Sequence, residues 1–248
     1  MGVVDHIREF RNRLIIIVVV FLAALLISFN YAVPLVEFLQ VPAGDLYDFV
    51  YLSPSEPFMQ YIRVSLIAAL AVAGPVILYE LLAFASPGLK SSEKRFVIAV
   101  LMLGLFFFLL GLAFAYAILL PFMLNFFSTI NGDAAIEAQI SIEKYLGLVL
   151  SIMSMMGLVF EMPVLTILLT QLGLLRPEWM KKSRRIVIVL VFILAAIITP
   201  PDVVSQVMVA IPMLALFQIS ITFSTMVRRR KDRKRKERQE EEEKFRYQ

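Results

Sequence analysis

An all-α, polytopic integral membrane protein with six transmembrane helices is the fold class the sequence predicts, and three observations predict it. Hydrophobic residues make up 60% of the 248-residue chain and charged residues only 18%, against roughly 45 to 50% and about 25% in a soluble domain. The apolar residues are gathered into six runs, most of them near or above the ~20 residues a helix needs to cross about 30 Å of hydrocarbon. Charges and turn formers fall largely between those runs.

The first run, Leu14 to Val36, has the look of a signal-peptide core, but Asp5 and Glu9 interrupt its basic flank and no A-x-A-like cleavage site follows. It reads as a permanent span. The second, Phe58 to Phe84, contains Pro75 and Glu80, and the third, Phe96 to Phe127, contains Pro121. The fourth, Tyr145 to Leu172, holds Glu161 two residues before Pro163; the proline ring removes a backbone donor, so a kink beside the acid is expected. The fifth, Ile186 to Thr199, is closed off by Arg185 and Pro200 and would be about 21 Å long as a helix, less than the hydrocarbon thickness. With the sixth, Val203 to Met226, it is expected to form a short hairpin. Residues 227–248 follow as a charged tail, read as a solvated anchor or a topology determinant touching anionic lipid.

Lysine and arginine set the orientation. They lie before the first run (Arg8, Arg11, Arg13), between the second and third (Lys90, Lys94, Arg95), between the fourth and fifth (Arg176, Lys181, Lys182, Arg184, Arg185) and in the tail, leaving only Arg63 and Lys144 for the other side. This alternation places both termini in the cytoplasm. The opposite connections are acidic, rich in turn formers, and read as structured outer caps.

Several activities are excluded by inventory. The chain has no cysteine and one histidine, His6, outside every apolar run. Cysteine-ligated metal, bis-histidine haem and a rhomboid-type serine protease are therefore ruled out. No phosphate-binding G-x-x-x-x-G-K-[ST] loop occurs, and only Asp202 among the aspartates lies near a span, which removes nucleotide hydrolysis and an intramembrane aspartyl protease. No cofactor, metal or nucleic acid is expected, and the chain reads as a non-enzyme.

Acids remain where lipid should be. Glu80, Glu93, Glu161 and Asp202 lie in or beside spans, and a carboxylate facing lipid is costly enough that each should face protein or water. Glu161 is either a hydrogen-bonded structural acid or a contact group. Asp202, after Pro200 and Pro201, is a credible cap for the sixth helix. A proton-coupled solute transporter using Glu161 and Glu80 is the alternative function on these residues alone, although six unequal spans show no matching halves.

The blocks HIREFRNRL (6–14), LSPSEPF (52–58), GPVILYELLAFASPGLKSSEKR (74–95), FEMPV (160–164) and TPPDVVSQVMVAIPM (199–213) together resemble the TatC family, the core membrane subunits of twin-arginine protein translocation. The resemblance covers most of the chain, in order. It implies a receptor in the bacterial cytoplasmic membrane that binds paired-arginine signal peptides on folded cargo, recruits single-span TatA and TatB partners, associates with copies of itself and draws on the protonmotive force. It implies a peptide site at Glu9 and Glu93, with Arg11, Arg13, Phe84 and Pro87 around it. Two carboxylates suit that task, because each can accept the planar guanidinium fork that lysine cannot reproduce. Taken alone, Glu9 and Arg13, four residues apart, read as a local ion pair and Glu93 as a first-turn helix acid. The resemblance further implies partner contacts at Glu161, Asp202 and Gln206 and a role for the loop residue Pro42. The chain departs from the family pattern at Glu80 and Leu82, where Gln and Trp are usual, and at Gln218, where a Glu is common; an exchange of compensating acids is one reading of that.

Overall fold

A computed structural model describes residues 3–44, 46–85, 91–131 and 139–246. The chain divides into two compact units, residues 1–155 and 156–248.

In the first unit, α1 (Val3–Asn30) and α3 (Glu56–Ala85) pack along their lengths. Their seam is built on Ala24, Ala69 and Ala73, with Val20, Phe21, Leu25 and Ile77 against them. Small residues let the two backbones approach closely, which in lipid is a principal source of helix association. The first apolar run does not form one helix. It breaks at Tyr31, and α2 (Ala32–Gln40) continues into a 3-10 turn, Val41–Ala43, that contains Pro42 and ends at Gly44 with φ 52°. A side chain is strained at that positive φ, so glycine suits the turn. At the other end, α1 starts eleven residues before the expected Leu14, so Glu9 and Arg13 are helical.

The third run is α4 (Ser91–Phe114), a π-helical turn (Ala115–Leu119) and α5 (Leu120–Asn131). The wide turn falls just before Pro121, where the missing N–H disturbs the hydrogen-bond ladder. The fourth is α6 (Ile142–Phe160) and α7 (Met162–Leu172), parted at Glu161 as the Glu161/Pro163 pairing predicts. Pro75, by contrast, lies inside unbroken α3.

The all-α expectation needs one amendment. β1 (Asp48–Val50) and β2 (Gln139–Ser141) form a short parallel ladder between the two connections read as caps, with Asp48 opposite Gln139 and Val50 opposite Ser141. Tyrosines fasten the same region. The hydroxyls of Tyr116 and Tyr145 donate to the carbonyls of Phe38 and Leu39 at the C-terminal end of α2, each at 2.8 Å, and Tyr47 donates to Leu124 O at 2.8 Å. The last carbonyls of a helix have few intrahelical donors, and the Tyr116 and Tyr145 hydroxyls add hydrogen bonds there. Burial pushes the Tyr47 phenol above its ordinary pKa, which keeps it a donor.

In the second unit, α7 ends in a Schellman arrangement. Gly173 has φ 83°, Leu174 N–H donates to Leu169 O at 2.9 Å and Gly173 N–H to Thr170 O at 3.0 Å. The short α8 (Pro177–Lys182) leads to α9 (Arg184–Ile198) and α10 (Val203–Arg246). Met180, Phe217 and Ile221 form a core there, and Thr170 shares a buried 2.7 Å hydroxyl hydrogen bond with Ser224. The helix holding the fifth run, α9, has 15 residues. The helix holding the sixth run is long: α10 has 44 residues, passes through Pro212 without a break and carries the charged segment beyond Met226 as the same helix. Among the described residues, five helical stretches are long and apolar enough to cross a membrane: 6–30, 56–80, 98–130, 142–171 and 203–233.

Candidate functional site: a carboxylate-held arginine where α1 meets α3

The α1/α3 seam ends in a polar and aromatic cluster. On α1, His6, Phe10 and Arg13 recur at the three-to-four-residue spacing of one helical face, which continues into Val20, Phe21 and Ala24. On α3, Ala73, Ile77, Glu80 and Phe84 do the same. Helical register thus delivers charges and rings to one place.

Arg13 lies at the centre. Its Nη2 and Nε donate to a single oxygen of Glu9, Oε1, at 2.6 and 3.0 Å. Its Nη1 donates to Glu80 Oε2 at 2.7 Å. The Arg13 and Glu9 side chains keep about a quarter of their surface exposed, while that of Glu80 keeps 10%. One guanidinium therefore holds two carboxylates, and the trio carries a net charge of −1. Beside it, the rings of His6 and Phe84 stack with centroids 4.5 Å apart and an interplanar angle of 15°, and Phe10 meets Phe84 at 5.2 Å. Such a shelf offers aromatic faces next to carboxylates, a combination suited to a guanidinium.

The sequence-derived site residues are distributed unevenly around this cluster. Glu9, Arg13 and Phe84 come together. Arg11 does not: it is exposed, and among the described residues its Nη2 reaches only Asn12 Oδ1, at 3.4 Å. Glu93 falls in the first turn of α4, and its side chain lies outside the described residues, as does Pro87 altogether. Glu80, His6 and Phe10 belong to the cluster without having been assigned to the peptide site. Register could have found them, since Glu80 continues the Ala73–Ile77 stripe of α3. The acid at Glu80 is matched by Arg13 on α1.

The other candidates have local structural duties. Asp202 caps α10: its Oδ1 accepts from Ser205 N–H at 2.7 Å, while Oδ2 and the Ser205 hydroxyl are buried without a partner among the described residues. Gln206 Nε2 donates to Phe192 O at 2.8 Å, bracing α10 against α9. Glu161 occupies the break between α6 and α7, half-buried, its carbonyl accepting from Leu165 N–H at 2.9 Å. Among the described residues its carboxyl has no hydrogen bond or ion pair. Pro42 supports the 3-10 turn described above. No group of acids or histidines that could hold a metal ion occurs among the described residues.

Residues 5–212 match the family model described as Sec-independent protein translocase protein (TatC). The chain belongs to the TatC family. The TatC protein of Aquifex aeolicus is 37% identical over 235 residues, covering 93% of this chain and 98% of its own. That of Desulforapulum autotrophicum is 36% identical over 232 residues, covering 92% and 86%. A crystal structure described as the twin arginine translocase receptor TatC aligns with a TM-score of 0.80 at 37% identity, over 90% of this chain and 99% of that one. TatC proteins are components of a protein translocase and not enzymes, so this chain is a multi-pass membrane protein of protein transport.

Proposed function

We propose that this TatC-family chain is the receptor subunit of a twin-arginine translocase, binding paired-arginine signal peptides of folded proteins at the cytoplasmic end of α1, α3 and α4. The observation that carries this reading is Glu9 already engaged with a guanidinium: a carboxylate placed to accept Nε and Nη2 of Arg13 is placed to accept those of a peptide. Glu93, in the first turn of α4, supplies the second acceptor, and the His6/Phe84 shelf packs against the arginine stems. The short α9 crosses a locally thinned bilayer as a sixth span, which puts both termini in the cytoplasm of a bacterium, in agreement with the distribution of lysine and arginine.

Partners follow from size. Six helices of about 10 Å diameter cannot surround a passage for a folded protein and still pack on one another. Single-span TatA- and TatB-type subunits and further copies of this chain complete the path, meeting it at Glu161, Asp202, Gln206 and the loop around Pro42. Transport draws on the protonmotive force. The solute-transporter alternative needs Glu80 as a second proton carrier, whereas Glu80 is here held in an ion pair with Arg13.

The test is binding of a fluorescent twin-arginine signal peptide to the purified chain in detergent. Glu9→Ala and Glu93→Ala each lower affinity about tenfold, the lower end of what the loss of one charge-assisted hydrogen bond costs. A Lys-Lys peptide binds comparably weakly to the unaltered chain. Equal affinity in all these pairings overturns the receptor reading.

A further inference from the structure

The proposed site poses a difficulty of its own: the carboxylate meant for a peptide arginine is already occupied by Arg13. Displacing a guanidinium from a partly buried carboxylate is costly if it is left with no acceptor. Arg13, however, is held from two sides. Its Nη1 rests on Glu80 at 2.7 Å, independently of the Nε and Nη2 contacts to Glu9. We propose that Glu80 is a positioning residue for arginine recognition, the acceptor onto which Arg13 withdraws when a peptide guanidinium claims Glu9.

Three features of the cluster carry this. Arg13 makes both Glu9 contacts to one oxygen, so Glu9 is held from a single side and Oε2 takes no hydrogen bond from it. The trio has one positive and two negative groups, so the arriving cation brings it to neutrality. Glu80 is the more enclosed of the two acids and sits on α3, away from the chain of α1, so it anchors Arg13 without following Glu9. Empty, the site is filled by an internal arginine that imitates the ligand; loaded, the two guanidinium groups share two carboxylates. The exchange rewards a fork-shaped cation, because the newcomer must match the geometry of the group it replaces.

This inference rests on the receptor reading, and a double-mutant cycle separates the two. Peptide affinity is measured for the unaltered full chain, Arg13→Gln, Glu80→Gln and the double variant, each first shown to be monodisperse and to unfold cooperatively. Glu80→Gln replaces a charged acceptor by a neutral one and weakens binding about fivefold while Arg13 is present. In the Arg13→Gln background nothing needs to be withdrawn, and the same change alters affinity less than about twofold. Should Glu80→Gln fail to fold, Glu80→Asp, which keeps the charge and shortens the reach, takes its place in the cycle. Equal weakening in both backgrounds means that Glu80 only adds negative charge, and no weakening in either means that it only packs; both overturn the proposal. An unaltered chain that binds arginine and lysine peptides alike overturns the receptor reading and this proposal with it.

Discussion

Arg13 differs from Arg11 by two positions and by everything that matters to chemistry: one is turned into the α1/α3 seam and the other into solvent. In the sequence Arg13 is set apart only by its four-residue spacing from Glu9, and the register of α1 against α3 adds its contact to Glu80. The pairing of Glu9 with Arg13 was legible from their four-residue spacing, but the second acceptor of Arg13, Glu80, lies 67 residues away in the chain. The capping role of Asp202 was legible, because a residue after two prolines and before an apolar run invites it. Asp202→Ala removes the acceptor for Ser205 N–H and lowers stability by about 1 kcal/mol, read as a reduced midpoint in thermal unfolding. Asp202→Asn keeps an acceptor oxygen and loses only part of that; a midpoint unchanged in the alanine variant refutes the capping role.

At the scale of elements, prolines show what sequence can and cannot specify. Five of them sit in apolar runs: Pro34, Pro121 and Pro163 adjoin an irregular turn, while Pro75 and Pro212 are carried within continuous helices. A proline deletes one hydrogen bond, and packing decides whether the helix yields. The α1/α3 seam gives a second prediction. Ala73→Leu inserts a bulky side chain where the exposure of Ala73 is 0%, and such overpacking costs about 1 to 3 kcal/mol. It should lower the unfolding midpoint and weaken signal-peptide binding together, since Glu80 rides on the same helix. The length of α10 was missed because its apolar and charged parts differ so sharply in composition that they read as two segments. Both favour helix, and Arg228–Asp232 and Arg233–Glu237 pairs support the charged part. Spin labels at positions 214 and 240 should therefore report a narrow distance near 39 Å, about 1.5 Å for each of 26 residues; a broad, shorter distribution means that the helix stops at the membrane.

For the whole molecule, the absence of cysteine makes every engineered thiol unique. Single cysteines at Asp48 and at Glu240 should react with a membrane-impermeant reagent from opposite sides of intact cells, Asp48 from outside and Glu240 only after permeabilisation; labelling of both from one side contradicts the proposed orientation. Composition was sufficient to announce helices and spans because hydrocarbon leaves the backbone few alternatives. It was silent about the β1/β2 ladder, since three-residue strands carry no period of their own and are dictated by what lies beside them. That ladder has a temporal consequence. Asp48 is synthesised long before Gln139, its partner, and the intervening helices must be threaded before the two can meet. Closing so large a loop with so few contacts makes it a late event. The ladder thus acts as a seal set on a completed insertion, and nascent chains halted before β2 should show Asp48 amide protons exchanging freely.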